Sequence, residues 1–334
     1  MIFVTGGTGL VGSHVLLQLA QKSKEFRALK RPSSSLGVCK RIFTYYKADN
    51  LFKKINWVDG DLTNISSLED GMHDCDFLLH CAGLVSFFAK DIGLLKKINI
   101  EGTANLTNVA LSCGIKKAGF VSSIATLGRG SNLEIIDEEC YFKPSKNDSN
   151  YALSKYFSEQ EVWRAAAEGL DVVIINPSVI LGPGDWENGS SKIFEKIYNG
   201  LKYYTNGSSG YVDVQDVAKS LIDLLFSDVR NERFIVNGAN LQYRVCFDKI
   251  ATAMGRKKAT IKVTPFLKEI AWRVEAIKYL LTGKKPLLTK ETSNSAMTNR
   301  AFSSAKIKKR MGFEFTCIDH TIKKYSSWFI ADQN

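Results

Sequence analysis

The sequence predicts an α/β protein: a doubly wound parallel sheet followed by a smaller, mainly helical C-terminal lobe. Short apolar runs alternate with helical patterns through the first half of the 334 residues, which is the order of a parallel sheet covered on both faces. A cluster of glycines directly follows the first apolar run. Beyond residue 238 the strand pattern ends and the chain becomes helical and basic. Right-handed crossovers would make such a sheet doubly wound.

Each element follows from hydrophobic periodicity. Helical spacing of apolar residues predicts helices, and short apolar runs between turn residues predict strands. Strands are predicted at Ile2–Thr5, Phe26–Lys30, Ile55–Asp59, Phe77–Cys81, Gly119–Ser123, Val172–Asn176 and Phe234–Val236, with a strand and a helix within Tyr211–Phe226. Helices are predicted at Val11–Lys22, Leu94–Cys113, Asn150–Gly169 and near Ser190–Tyr198.

The opening stretch, MIFVTGGTGLVG, reads as strand, glycine turn and helix. Gly7, Gly9 and Gly12 match G-x-G-x-x-G, in which the glycines allow a tight turn, a close approach to a pyrophosphate, and packing of the helix on the sheet. The free N–H groups of the helix N-terminus attract phosphate. A dinucleotide-binding Rossmann fold is therefore predicted, with cofactor contacts from Gly6, Thr8, Gly9, Leu10, Val11 and Gly12.

The fading of the strand pattern predicts the domain organisation. Residues 1–182 and 211–238 are expected to form the Rossmann domain that binds NAD(P), and residues 183–210 and 239–334 the substrate-binding lobe. In this architecture the ligand cleft lies between the lobes, outside the carboxyl ends of the strands.

The end of the second predicted strand favours NADP over NAD. Lys30 and Arg31 follow Gly12 by 18 and 19 residues, where NAD-binding proteins carry an acidic residue for the ribose hydroxyl. An arginine at this place suits the 2′-phosphate of NADP, although a solvated basic turn is the alternative and NAD remains the second choice of cofactor. Further on, Asp61 and Leu62 follow the third strand, where a carboxylate can accept from the adenine amino group.

The stretches FVSSIATLG and YALSK supply a candidate catalytic group. Tyr151 and Lys155 lie four residues apart and so share one helix face, where the lysine charge is expected to lower the tyrosine pKa. A serine hydroxyl could hold the substrate carbonyl beside the phenol. A second Y-x-x-x-K, Tyr198 to Lys202, contains Gly200 and is attributed to chance.

Taken in order, these motifs resemble those of the extended short-chain dehydrogenases/reductases, in the NAD-dependent epimerase/dehydratase superfamily. The resemblance rests on TGGTGLVG, GDLT, HCAG, INIEGT, SSIATLG, YALSK, NPSVILGPGDW and YVDVQDVA. It implies that Tyr151 relays a proton, that Lys155 also binds the nicotinamide ribose, and that Ser123, or else Ser122, contacts the carbonyl. It also implies cofactor contacts from Cys81, Ala82, Gly83 and Pro177, and a homodimer through the helices beginning near Gly102 and Asn150.

Within this family, RALKRPSSS and NPSVILGPG are more similar to the dihydroflavonol-4-reductase-like carbonyl reductases than to sugar-nucleotide epimerases. No acidic pair follows Ser123, which argues against dehydration chemistry. Three functions therefore compete. They are an NADP(H)-dependent reductase of a ketone or aldehyde, an epimerase acting on a nucleotide sugar with tightly held NAD, and a non-catalytic protein that senses the cofactor.

Composition limits the remaining choices. Seven dispersed cysteines without a C-x-x-C pair and no recognisable signal peptide predict a cytoplasmic protein, and no stretch is long and apolar enough to span a membrane. The four histidines lack metal-ligand spacing, so no metal is expected. Residues 256–334 hold 17 Lys/Arg and 6 Asp/Glu, which accounts for the net charge of +11, but no nucleic-acid motif accompanies them.

Residues 266–281, FLKEIAWRVEAIKYLL, form an amphipathic helical pattern among basic neighbours. The expectation is that the apolar face packs on the C-terminal lobe. Contact with a membrane surface, or a cover over an apolar substrate, is the less favoured alternative.

Overall fold

A computed structural model describes residues 1–128, 135–145, 148–283, 286 and 288–333 of the chain. The strands are β1 (Ile2–Thr5), β2 (Phe26–Lys30), β3 (Asn56–Asp59), β4 (Phe77–His80), β5 (Lys117–Val121), β6 (Ile135–Ile136), β7 (Asp171–Pro177), β8 (Val179–Leu181), β9 (Tyr203–Tyr204), β10 (Ser208–Asp213), β11 (Glu232–Val236), β12 (Ala239–Gln242), β13 (Ile261–Lys262) and β14 (Ala301–Phe302). The predicted lobe at 239–334 includes residues 284, 285, 287 and 334, which lie outside the described residues.

The helices are α1 (Leu10–Gln21), α2 (Gly37–Tyr45), α3 (Asp49–Phe52), α4 (Ile65–Met72), α5 (Ile92–Leu95), α6 (Gly102–Ser112), α7 (Asn150–Ala167), α8 (Lys192–Tyr198), α9 (Val214–Leu225), α10 (Tyr243–Ala253), α11 (Pro265–Thr282), α12 (Lys290–Ser295), α13 (Ala305–Met311) and α14 (Ile318–Gln333). A π-helical segment, Lys96–Glu101, joins α5 to α6. The long helix predicted over residues 94–113 is thus not one continuous α-helix, because the π-helical segment interrupts its hydrogen-bond pattern.

The central sheet has seven parallel strands in the order β11-β7-β5-β4-β1-β2-β3. The chain runs outward from β1 to β3, then returns to place β4 on the other side of β1. This reversal opens a crevice at the carboxyl ends of β1 and β4, where ligands bind in such sheets. The predicted doubly wound α/β fold is confirmed.

Apolar layers on both faces hold this sheet. On one face α1 and α9 pack around Val15, Leu16 and Leu221, and on the other α6 and α7 pack around Leu106 and Val162. A strand buried on both faces needs a continuous apolar run, which explains why β7 is apolar at each position over 172–175. The rigid sheet fixes the loops at its carboxyl edge relative to one another.

A second sheet lies outside the central one. Its order is β12-β10-β8, with β10 parallel to β8 and antiparallel to β12. The strand predicted within residues 211–226 therefore begins at Ser208 and pairs here, while α9, which follows it, packs on α1 of the central fold. Helices α8, α10 and α14 complete a C-terminal core around Trp186, Phe194 and Phe329.

The expectation that residues 266–281 pack their apolar face on the C-terminal lobe is wrong. Helix α11 has no buried residue, and its large apolar side chains Phe266, Leu280 and Leu281 are 76%, 78% and 81% exposed. The opposite face makes the contacts, through Tyr279 against Phe88 and through the pairing of α11 with α12.

Among the described residues, none of the helices is long and apolar enough to cross a membrane. Within the same residues, His, Cys, Asp and Glu side chains form no group of three or more that could hold a metal ion.

Candidate active site

The glycine turn shapes the end of β1 for a close backbone approach. Gly6 has a φ of +72°, and a Cβ there would collide with the backbone of Ala82. A Cβ on Gly12 would collide with the Gly6 carbonyl, so Gly12 packs α1 against the turn itself. Gly9 precedes α1, and no side chain caps this helix. Its first N–H groups thus lack a side-chain acceptor, which is the arrangement that binds phosphate at helix N-termini.

The two basic residues after β2 differ in surroundings. Lys30 forms an ion pair with Asp59, its register neighbour on β3. Arg31 is exposed, and its charge acts on Asp61. Burial opposes ionisation of Asp61, but hydrogen bonds from Thr63 and the charges of Arg31 and Lys97 leave its pKa below the usual value.

The loop after β4 lies beside the glycine turn and is anchored by Asn99. The Asn99 side-chain oxygen accepts from the backbone N–H of Leu84 at 2.7 Å, and its Nδ2 donates to the Leu84 carbonyl at 3.0 Å and to Ser154 Oγ at 2.9 Å. Residues 81–83 are therefore fixed between β1 and α7. Asn99 belongs to the π-helical segment, and π-helical turns often occur at functional sites.

Leu62 and Pro177 lie at two further strand ends. Leu62 is buried, its carbonyl accepts from Asn105 Nδ2 at 3.1 Å, and Gly102 lets α6 approach its side chain closely. Pro177 is the last residue of β7 and is buried. With the glycine turn, residues 81–83 and Ser123, these positions surround the carboxyl edge of the central sheet.

Tyr151 lies in the first turn of α7, which Ser149 caps by accepting from the Ala152 N–H. Its ring packs edge-on against Phe87, with 5.4 Å between the centroids. Burial raises the pKa of Tyr151, and a hydrogen bond with the Ser123 side chain acts in the opposite direction. The Tyr151 phenol therefore lies next to a serine hydroxyl, and its surroundings disfavour the phenolate form.

Lys155 follows one turn later on the same face and is almost fully buried. Its Nζ donates to the Val121 carbonyl at 2.8 Å and lies 4.3 Å from the centre of the Phe120 ring. Burial lowers the pKa of Lys155 to about 8, while the charge of Glu159 opposes that fall. The sequence predicts a lowered Tyr151 pKa, but the Tyr151 pKa is raised because burial outweighs the favourable hydrogen bond.

The structure separates the two adjacent serines. The Ser123 hydroxyl caps the short 3-10 helix Ile124–Thr126 and is near enough to the Tyr151 phenol to favour a lower pKa for it. Ser122 is buried and donates to Glu159 Oε2 at 2.5 Å. Only Ser123 therefore lies next to the phenol.

Glu159 is a buried carboxylate that the sequence analysis did not identify. Thr126 Oγ1 and Asn176 Nδ2 donate to it at 2.8 Å and 3.1 Å, and the Arg233 guanidinium lies 3.4 Å away. The signal was its spacing, since Tyr151, Lys155 and Glu159 recur every four residues on one helix face. Arg233 could not be inferred because it comes from β11, 74 residues further along.

The second Y-x-x-x-K does not form an equivalent pair. Tyr198 is the last residue of α8, and Gly200, with a φ of +89°, turns the chain before Lys202. The Tyr198 ring packs against Phe329 and Arg256 in the C-terminal core. Tyr198 therefore belongs to the core around Phe329 and not to the strand ends that carry Ser123.

Comparison with known proteins then decides the family, because the model for the NAD dependent epimerase/dehydratase family matches residues 2–236. The chain belongs to this family. The resemblance inferred from the motifs is confirmed, and the chain is an NAD(P)-dependent enzyme of the extended short-chain dehydrogenase/reductase type.

Relatives within the family include reductases. A Synechocystis sp. chain with the provisional name dihydroflavonol 4-reductase is 29% identical over 98% of this chain and 94% of its own length. Cinnamoyl-CoA reductase 1 of Petunia hybrida is 28% identical over 70% of this chain and 72% of its own. The crystal structure of gox2253 superposes with a TM-score of 0.82 and 28% identity, covering 99% of this chain and 98% of that one.

Proposed function

We propose that this protein is an NADP(H)-dependent reductase of an apolar ketone or aldehyde, with Ser123, Tyr151 and Lys155 as its catalytic residues. The observation that carries the proposal is the position of the Tyr151 phenol, beside the Ser123 hydroxyl and against the ring of Phe87. A protonated phenol is a proton donor, which carbonyl reduction requires. An apolar neighbour suits an uncharged carbonyl compound better than a sugar, whose hydroxyls need hydrogen-bond partners.

The three side chains would have different roles in one carbonyl reduction. A bound nicotinamide cofactor would supply the hydride to the carbonyl carbon. Ser123 would donate a hydrogen bond to the carbonyl oxygen, and Tyr151 would transfer its proton to that oxygen as negative charge develops. Lys155, cationic below its pKa of about 8, would hold the ribose hydroxyls and stabilise the phenolate left behind.

Other residues at the carboxyl edge of the central sheet would contact each part of the cofactor. The uncapped start of α1, with Thr8, Leu10 and Val11, would bind the pyrophosphate. Residues 81–83 and Pro177 border the crevice where the nicotinamide half would lie. Arg31 would bind the 2′-phosphate of NADP, with a smaller contribution from Lys30 because Asp59 already pairs with it.

The cofactor choice is tested by titrating Arg31→Ala with NADPH and NADH. Losing a charge-assisted contact is expected to weaken NADPH binding by about 1.5–3 kcal/mol and to leave NADH nearly unchanged. Lys30→Ala is the matched control and is expected to lose less. Equal losses for both cofactors, or an initial preference for NADH, would contradict the assignment.

The reaction itself is tested by the fate of the cofactor. A reductase consumes NADPH in step with product, so absorbance of the reduced nicotinamide should fall with an apolar aldehyde or ketone. The alternative is a nucleotide-sugar epimerase with tightly bound NAD, which the family name keeps open. Protein purified with NAD bound, which interconverts a UDP-hexose without net redox change, would establish that alternative and refute the reductase.

A further inference from the structure

We infer that α11 is an interfacial helix that binds the surface of an anionic lipid bilayer. The first observation is geometric. Phe266, Ile270, Val274, Ile277 and Leu281 succeed one another by four, four, three and four residues, and all are exposed. With Leu280 they form a stripe about 120° wide on an ideal helix. We call these six residues the α11 stripe.

The α11 stripe is exposed because the other side of α11 makes the protein contacts. Tyr279 packs on Phe88 with 5.0 Å between centroids, Lys90 lies 4.9 Å from the Tyr279 ring, and Lys268 hydrogen-bonds Asn294 of α12. The helix is therefore attached by one face and presents the other outward. Six large apolar side chains on one exposed helix face are uncommon unless something covers them.

Charge identifies the occupant. Residues 256–290 hold ten Lys/Arg and two Asp/Glu, and Lys257, Lys258 and Lys262 are exposed just before α11. An apolar helix face accompanied by lysines fits the interface of a membrane with anionic lipids. A second copy of this chain docking on the stripe would bring two strongly basic segments together, which is unfavourable.

The position of the α11 stripe relative to Tyr151 also favours a bilayer as the occupant. The segment that carries Phe88 also carries Phe87, whose ring contacts Tyr151, and exposes Val85, Ile92 and Leu94. Apolar groups thus extend from α11 towards the catalytic tyrosine. A helix seated in the headgroup region would bring this path next to the lipid.

The test is co-sedimentation of the full chain with vesicles, a readout that does not depend on activity. We expect binding to phosphatidylcholine vesicles that contain phosphatidylglycerol, weaker binding to pure phosphatidylcholine, and loss of binding as salt is added. The variant Phe266→Ser/Leu280→Ser/Leu281→Ser should lose roughly 100-fold or more in partitioning, because three exposed apolar side chains no longer insert. Lys257→Gln/Lys258→Gln/Lys262→Gln should lose roughly 100-fold on anionic vesicles alone.

Matched controls separate this surface from general effects. Ile65→Ser/Val245→Ser replaces apolar residues exposed elsewhere, and Lys40→Gln/Lys53→Gln/Lys54→Gln removes as many exposed charges from the Rossmann part. Both should bind vesicles like the parent chain. The inference is overturned if the parent binds neither vesicle, if binding ignores anionic lipid, or if the apolar triple variant instead reduces the oligomer size by light scattering, which would make a second copy the occupant.

Discussion

Helices α7 and α11 have the same length, 18 residues, but α7 buries polar side chains and α11 exposes apolar ones. Helix α7 buries Ser154, Lys155, Ser158 and Glu159, whereas α11 buries no residue and exposes six large apolar side chains. Burying charge is costly unless each group finds a partner, and Lys155 and Glu159 both do. Each helix thus departs from the apolar-inside pattern on the face for which we propose a function: the face of α7 that carries Lys155 and Glu159, and the outward face of α11.

The strongest change in activity is expected from a substitution on α7. Tyr151→Phe should lower turnover by roughly 10³-fold or more, because the group lost is the proposed proton donor in the transition state. Cofactor affinity should stay nearly unchanged. Tyr198→Phe, in the second Y-x-x-x-K, should behave like the parent in the same steady-state assay; the reverse pattern would refute the assignment of Tyr151.

A matched pair of valines tests how differently the two helices depend on packing. Val162 of α7 is 2% exposed and Val274 of α11 is 54% exposed. Val162→Ala should lower the free energy of unfolding by about 2 kcal/mol through lost burial and a small cavity. Val274→Ala should change it by less than about 0.5 kcal/mol.

Both substitutions gain the same helix propensity, so the difference between the two changes in the free energy of unfolding reports only the burial of each valine. Urea unfolding followed by fluorescence measures it. Equal losses at the two sites would mean that α11 packs its stripe against the protein after all.

A weaker effect is expected from the charge on Lys155. Its pKa of about 8 lies below the ordinary lysine value because burial disfavours the cation, and Glu159 opposes that shift. Activity should therefore fall as the pH rises through about 8, where the ammonium loses its proton. Glu159→Gln should move this limb to lower pH by about one unit, since the variant no longer favours the cation.

The measurement is the pH dependence of kcat/KM, with Glu159→Asp as the variant expected to restore most of the parent profile. A limb that stays in place in Glu159→Gln would show that Glu159 only supports the fold.

Lys155 also changes the free energy of unfolding with pH, in a direction that its lowered pKa fixes. Between pH 8 and its ordinary pKa, the unfolded chain binds one more proton, so the free energy of unfolding should rise with pH, and Lys155→Met should flatten that rise.

Local patterns were enough to predict the scaffold. The alternation of apolar runs and helical segments predicted the central parallel sheet, and the Tyr151 and Lys155 spacing predicted a shared face on α7, because both depend on neighbours within a few residues. The glycine turn was equally local, since Gly6 adopts the positive φ that the turn requires. The predicted roles of these residues stay predictions that the experiments above test.

Local sequence patterns were thus enough to predict the fold class, the family and the order of the motifs. The folded structure alone shows that Ser123 rather than Ser122 lies beside Tyr151, that Arg233 reaches Glu159 from β11, and that Asp59 pairs with Lys30. It also shows that α11 faces outward. The reason is the same in each case: burial and charge pairing depend on residues brought together across strands or lobes, and a one-dimensional pattern does not specify which neighbours those are.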